Sequence, residues 1–410
     1  MINNGKRVFV PSKINFIREE RDYVHLCFNT FRENLDFMIT IHPQRRLGFL
    51  NLLASCVSHL GHNLHQYLPI LIEIALTMLQ AVESQKRKEN ELNQMGNEDE
   101  VIEDTRQRIQ NERTLCLNVL ADIFAKYSSV FSFQECYDRL WICLRDVISK
   151  LPLMVINSDN KPSILRFIHV LSLHPTHISF LPNEAVVAAI KCLSRRSKAH
   201  VIECVMDILE NVLTQEKSIS EDGETPGIKL IRNNLDLIID RFVERLGVVE
   251  NLAGEENVKL STSSSGDNHP FSSSLNKELF ILCQISELFV LEKGSSDTLS
   301  AKKAEQLGSL STLLLPFLSA NNELHDDATK ADILAIINCF VPMMNTDRAS
   351  TLIPTISSLL GSEKSRPGVT NPTVRSLVVK VYTSIVSGED GSSLRIKVGD
   401  SLVNLNSMST

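Results

Sequence analysis

The sequence predicts an all-α chain built from stacked antiparallel helical hairpins, and three observations carry that expectation. Apolar residues recur at the i, i+3, i+4, i+7 spacing of a helix along most of the 410 residues, whereas strand-like alternation is nearly absent. Leu and Ile dominate the apolar positions and aromatic residues make up only 6%, which suits helix-on-helix packing better than a sandwich of sheets. A proline preceded by two apolar residues returns at Tyr67-Leu68-Pro69, Phe180-Leu181-Pro182, Leu314-Leu315-Pro316 and Leu352-Ile353-Pro354. Pro316 and Pro354 stand 38 residues apart, Pro69 and Pro182 113 apart, and an insertion accounts for the wider middle step; a period of roughly 40 belongs to two-helix repeats. A chain of this length exceeds one compact core unless it grows by repetition. The predicted class is therefore a HEAT/armadillo-like α-solenoid, whose interior is a ribbon shared by neighbouring hairpins.

Each element follows from its own residues. Residues 1–44 read as a helical lead-in, and their opening MINNGKRVFVPSK lacks the apolar core of a secretion signal. Helical repeats are expected over 45–249. There Leu47, Leu50, Leu53, Ala54, Val57 and Leu60 share one face, Gly61 offers a stop, and Pro69 suits the first turn of the next helix. Residues 83–113 interrupt with fifteen charges of both signs, expected as a solvated helix extension, a loop and a charged lead into the next helix. Further apolar runs fall at 117–124, 140–151, 164–171, 186–193, 201–213 and 230–246. A Ser-rich stretch over 250–274 cannot bury enough apolar surface to order itself and is expected as a flexible linker. Repeats resume over 275–390, and 391–410 is expected as an irregular tail with a hairpin around Gly399-Asp400 as an option.

The same residues exclude several function classes. The net charge of −7 opposes a protein that coats nucleic acid through general basicity, so any RNA contact must come from a local patch. Nine cysteines without a C-x-x-C pair, mostly inside apolar helical pattern, read as reduced buried thiols of an intracellular protein. The longest apolar run, Tyr67 to Val82, is short for a bilayer and contains Glu73, so no membrane role is expected. Nucleophile-elbow, phosphate-loop, zinc-protease and dinucleotide motifs are missing. The acidic pairs Glu98/Asp99/Glu100 and Asp326/Asp327 read as solvated loop charges without the desolvation that general acid catalysis needs. The expectation is a non-enzyme with no cofactor, metal or small-molecule substrate.

Two histidine trios invite a metal reading and do not sustain it. His59, His62 and His65 step around a helix by about 60° each time, and Gly61 interrupts that helix. His169, His174 and His177 are split by Pro175. Both trios are expected as polar elbows between helices. One basic cluster, Lys191, Arg195, Arg196 and Lys198 with His200, sits at a joint between two apolar helices. It is a candidate for phosphate contact; the competing reading is a helix end whose cations complement the macrodipole. Arg45-Arg46 and Lys86-Arg87-Lys88 are weaker basic sites, the latter a thin candidate for a nuclear import signal.

A family resemblance narrows the function. RRLGFLNLLASCVSHLGHNLHQYLPILIEIALTMLQ at 45–80 carries Gly48-Phe49-Leu50, then Val57-Ser58-His59-Leu60-Gly61, then Tyr67-Leu68-Pro69-Ile70-Leu71. This block resembles the HEAT-repeat family of U3 small nucleolar RNA-associated protein 20, also known as "down-regulated in metastasis". The segments NERTLCLNVLADIFAKYSSVFSF (111–133), KPSILRFIHVLSLHPTHISFLP (161–182), SSLNKELFILCQISELF (273–289) and LSTLLLPFLSANNE (310–323) are similar to that family in the same order. The resemblance implies a nucleolar, non-catalytic scaffold of the small-subunit processome. Such a protein takes part in early ribosome biogenesis and ribosomal RNA processing, with processome proteins, pre-ribosomal RNA and the U3 particle as partners. Members of the family are several times longer, so the resemblance also implies a fragment or a short form. The family's basic C-terminal region has no counterpart here. Helical repeats alone leave a HEAT-type nuclear transport receptor, or another protein-interaction scaffold, as the alternative.

Overall fold

The computed structural model describes residues 2–3, 6–7, 43–59, 67–93, 101–127, 134–157, 162–194, 197–214, 225–246, 271–293, 301–318, 326–344, 346–359 and 371–387. Apart from an antiparallel pair of two-residue strands, β1 (Ile2–Asn3) and β2 (Lys6–Arg7), all regular structure among these residues is helical. Within the stretch expected as a helical lead-in, this strand pair is therefore the only described structure before Pro43; the rest of 1–42 lies outside the described residues. The chain divides into two compact units, one of 1–151 with 161–185, the other of 152–160 with 186–410.

The first unit holds α1 (Pro43–His59), α2 (Leu68–Asn93), α3 (Val101–Lys126), most of α4 (Gln134–Asn157), α5 (Ser163–Ser172) and the single turn α6 (Pro175–Ile178). Helix α3 is its centre and packs against α1, α2 and α5. The apolar periodicity decides this: Leu50, Leu53 and Val57 of α1, Leu71, Ala75 and Leu79 of α2, and Cys116, Leu120, Ile123 and Phe124 of α3 are all buried. Polar side chains then fix the register. Lys126 donates from Nζ to the Val57 carbonyl at 3.1 Å, satisfying an acceptor that the end of α1 leaves open. Arg166 of α5 donates to Asn118 at 2.9 Å and Asp122 at 2.6 Å on α3. Arg139 of α4 reaches Glu73 at 2.8 Å and Gln80 at 3.2 Å on α2.

The second unit contains α8 (Ala199–Leu213), α9 (Pro226–Arg232), α10 (235–246), α11 (Phe271–Lys293), α12 (Ala301–Leu314), α13 (Asp327–Phe340), α14 (Thr346–Leu359) and α15 (Pro372–Ser387). Helix α7 (Asn183–Lys191) begins in the first unit and continues into this one. One row runs α8, α11, α13, α15, each packed on the next; α12 and α14 pack on each other and on α13 and α15 respectively. Ile333, Ile336, Ile337 and Phe340 of α13 are fully buried between α11 and α15, and Phe340 meets Phe289 edge-on at 6.1 Å. Lys277 of α11 pairs with Asp207 and Glu210 of α8, and Ser384 of α15 donates to Asn338 of α13 at 2.8 Å. Each unit thus shows the predicted class, an all-α solenoid of antiparallel helical hairpins. The Ser-rich stretch leads from α10 into α11, and its last four residues, 271–274, are already helical in α11 and not linker; residues 250–270 lie outside the described residues. The tail hairpin around Gly399-Asp400 lies outside the described residues.

Several local expectations need correction. The apolar–apolar–proline signature does not mark one repeated position. Pro69 opens α2 and Pro182 precedes α7, but Pro316 lies in a 3₁₀ turn (Leu315–Leu318) that closes α12, and Pro354 is inside α14. The apolar pair is in each case part of a buried stripe, with Leu68, Leu181, Leu314 and Leu352 all buried, and the proline follows the local backbone. Asp326 is not a free loop charge. Its carboxylate accepts from the Thr329 amide at 2.8 Å and caps α13, with Asp327 in the first turn. Nor is the charged stretch 83–113 wholly solvated, because Glu83, Glu112 and Arg113 are buried.

Candidate functional site

The basic joint predicted from sequence lies in the turn from α7 to α8. Lys191 is the last residue of α7 and is exposed, where a cation complements the helix dipole. Lys198 occupies the position before α8, with φ −74° and ψ 154°. The hydroxyls of Ser194 and Ser197 meet at 2.8 Å, and Ser197 also donates to the Cys192 carbonyl, so the turn between the lysines is internally bonded. Lys191 and Lys198 therefore flank one turn. Arg195 and Arg196 lie outside the described residues.

The histidine trios separate by environment. His59 ends α1, exposed, with Nδ1 at 2.8 Å from the Ser55 carbonyl; His62 and His65 lie outside the described residues. His174 is extended ahead of Pro175, as a residue before proline prefers, and does form an elbow. His177 does not: it is fully buried, 2.6 Å from the Tyr137 hydroxyl and edge-on to Phe124 at 5.3 Å. Burial, with a smaller contribution from His174, pulls its pKa down to about 4, so the ring is neutral at physiological pH. No group of three metal-ligating side chains gathers among the described residues. Burial raises the thiol pKa of Cys136 and Cys339 to about 11 and of Cys192 and Cys283 to about 12, which makes them poor nucleophiles.

The charged cluster that sequence reasoning missed lies where α1, α2 and α3 meet in the first unit. Arg113 of α3 bonds Glu83 of α2 through Nε and Gln110 through Nη1 at 2.8 Å. Arg46 of α1 reaches Glu112 at 3.2 Å and Gln85 at 3.2 Å. Desolvation raises the pKa of Glu112 despite the opposing pull of Arg46. Lys86 is half-buried one turn beyond Glu83, and Lys150 of α4 is exposed. The pKa of Lys86 is lowered, first by burial, then by the positive charges of Arg113 and Lys150, against the opposing pull of Glu83 and Asp146. A signal for this cluster was present. Glu83 and Lys86 continue the stripe of Leu79 and Val82 on α2, and Glu112 and Arg113 interrupt the stripe from Ile109 to Cys116 on α3. Charges on an apolar stripe are buried charges.

Comparison with known proteins adds the last observation. None of the curated proteins compared with the chain matches it. The profile of a family described as "U3 small nucleolar RNA-associated protein 20, N-terminal" matches residues 11–410, in agreement with the collinear segments in the sequence and with the helical stacks of both units. A match over nearly the whole length leaves no long segment to another family: the chain belongs to the U3 small nucleolar RNA-associated protein 20, N-terminal family.

Proposed function

We propose that the chain is a non-catalytic scaffold in early small-subunit ribosome biogenesis, acting in the nucleolus within the U3-containing processome during ribosomal RNA processing. The observation that carries this reading is the family match over residues 11–410. The architecture supports it. A row of helices in which each packs on the next offers a long edge, suited to holding several partners at once. Arg139, Arg166 and Lys277 are engaged in helix register. The partners are processome proteins and pre-ribosomal RNA, with the Lys191–Lys198 turn as one candidate contact. A HEAT-type transport receptor has no comparable support.

The test is sedimentation of the tagged chain from a nuclear extract. Co-migration with particles containing U3 RNA, together with accumulation of unprocessed small-subunit RNA precursor on depletion, is the expected result. A chain that migrates free of pre-ribosomal particles, with normal precursor levels on its depletion, would overturn the reading.

A further inference from the structure

We infer that the outer face of α11 is a docking surface for an amphipathic helix of a partner protein that carries basic residues beside its apolar stripe. The face is one line on one helix. Phe280, Glu287 and Leu291 stand at spacings of seven and four, so they fall within about 40° of arc over about three turns. Phe280 is 41% exposed and Leu291 77%, and Glu287 between them is exposed. Apolar residues scattered singly over a surface are ordinary, but two on one line of one helix form a contact stripe. The rest of α11 is covered. Glu278, about 160° around the helix from Phe280, is buried and pairs with Arg245 of α10 at 3.5 Å. Helices α8 and α13 pack on α11 as its neighbours in the row.

Charge selects the partner. Toward α8, the Lys277 Nζ lies 2.5 Å from Asp207 and 2.6 Å from Glu210, so one ammonium meets two carboxylates. Glu203, one turn before Asp207 on α8, is exposed. On α13, Lys330 already stands 4.0 Å from Asp327. Glu287 therefore has no cation partner among the described residues. Asp332 of the adjoining α13 is half-buried and equally without one, and both carboxylates act on the Cys283 thiol of α11. The apolar line thus runs through an acidic surround. An RNA backbone would meet like charge there, whereas a Lys or Arg set between apolar anchors meets Glu287. The inference names one partner surface of the proposed scaffold, but it rests on these residues and not on the ribosome-assembly reading.

The experiment uses the purified full chain and two labelled helical peptides of about 18 residues, enough to span the three turns. One has Leu and Lys at amphipathic spacing; in the other every Lys is replaced by Glu. Binding is followed by fluorescence anisotropy over a salt series. The Lys peptide is expected to bind and the Glu peptide to stay free. Phe280→Ser/Leu291→Ser is expected to weaken the Lys peptide at least about fivefold. Glu287→Lys is expected to weaken it by a similar factor at low salt and by less at high salt. Ile142→Ser/Glu184→Gln removes an exposed apolar and an exposed acidic residue elsewhere, and is expected to bind as wild type does. That control separates the α11 face from the general negative charge of the chain. All variants are expected to melt within about 4 °C of wild type, since the substituted side chains lie at the surface. No binding of the Lys peptide, equal binding of the two peptides, or unchanged affinity in both α11 variants would overturn the inference. A uridylate oligomer that binds wild type and is lost in Phe280→Ser/Leu291→Ser would make RNA the occupant and overturn it as well. Sedimentation with pre-ribosomal particles is read separately, so failure here and failure of the scaffold reading are distinguishable.

Discussion

At the scale of single residues, the Glu83–Arg113 pair sets the cost of error in the first unit. Both side chains are almost fully buried, so truncating one strands the other away from water. Arg113→Leu is expected to lower the unfolding free energy by about 3–5 kcal/mol in a denaturant titration. Glu83→Leu/Arg113→Leu is expected to recover most of that loss, since an apolar pair fits the surrounding stripe. His177 sets a pH dependence. Its folded pKa of about 4 lies below the ordinary 6.5, so its contribution is fully present above 6.5 and is lost as pH falls toward 4. The full difference is about 3 kcal/mol. Replacing Tyr137 and His177 together by Phe is expected to flatten the stability-versus-pH curve in that window relative to wild type, as measured by urea melts. Gly227 is a steric requirement. A Cβ there would stand 2.3 Å from the Val212 carbonyl oxygen, so Gly227→Ala must push α9 off α8. A loss of about 1–3 kcal/mol is expected in the same titration.

At the scale of elements, the helices themselves were legible and their polar interiors less so. The stripe from Leu50 to Val57 and the run opening at Pro69 announced α1 and α2, because an apolar face has a period that sequence displays directly. Asp326 was misread because an N-cap and a loop aspartate look alike until the Thr329 amide is in place. The 83–113 stretch misled in a different way. Its charge density is that of a solvated segment, and only the facing helix shows that three of its charged side chains turn inward. Pro354 makes an element-scale prediction. It sits exposed inside α14, where it cannot donate to the carbonyl one turn back. Pro354→Ala is expected to raise the melting temperature, with a gain of up to about 3 kcal/mol. Unchanged or lower stability would show that α14 draws on the fixed proline backbone.

At the scale of the molecule, the stacking of neighbour on neighbour decides how damage spreads. In such rows, stability is close to a sum of local terms, and opening occurs in contiguous segments. Arg113→Leu is therefore expected to weaken amide-exchange protection in α1, α2 and α3 while leaving α13 and α15 as protected as in wild type. The family was legible at this scale alone. No single residue announced it; the order of several helical segments did, and the family match spans the same region. Of the predicted contact residues, Lys191 and Lys198 flank one turn, as their spacing implied, whereas Arg195 and Arg196 lie outside the described residues. Arg113 and Lys150 lie far apart in sequence, and both lower the pKa of Lys86, after burial.

The Glu83–Arg113 bond also constrains how this chain can drift. A lineage that loses either half carries an isolated ion inside its first stack, and the neutral routes onward are reversal or the matching loss of the other half. The two positions should thus be inherited as a couple, exchanged together or left alone, although 30 residues separate them along the chain.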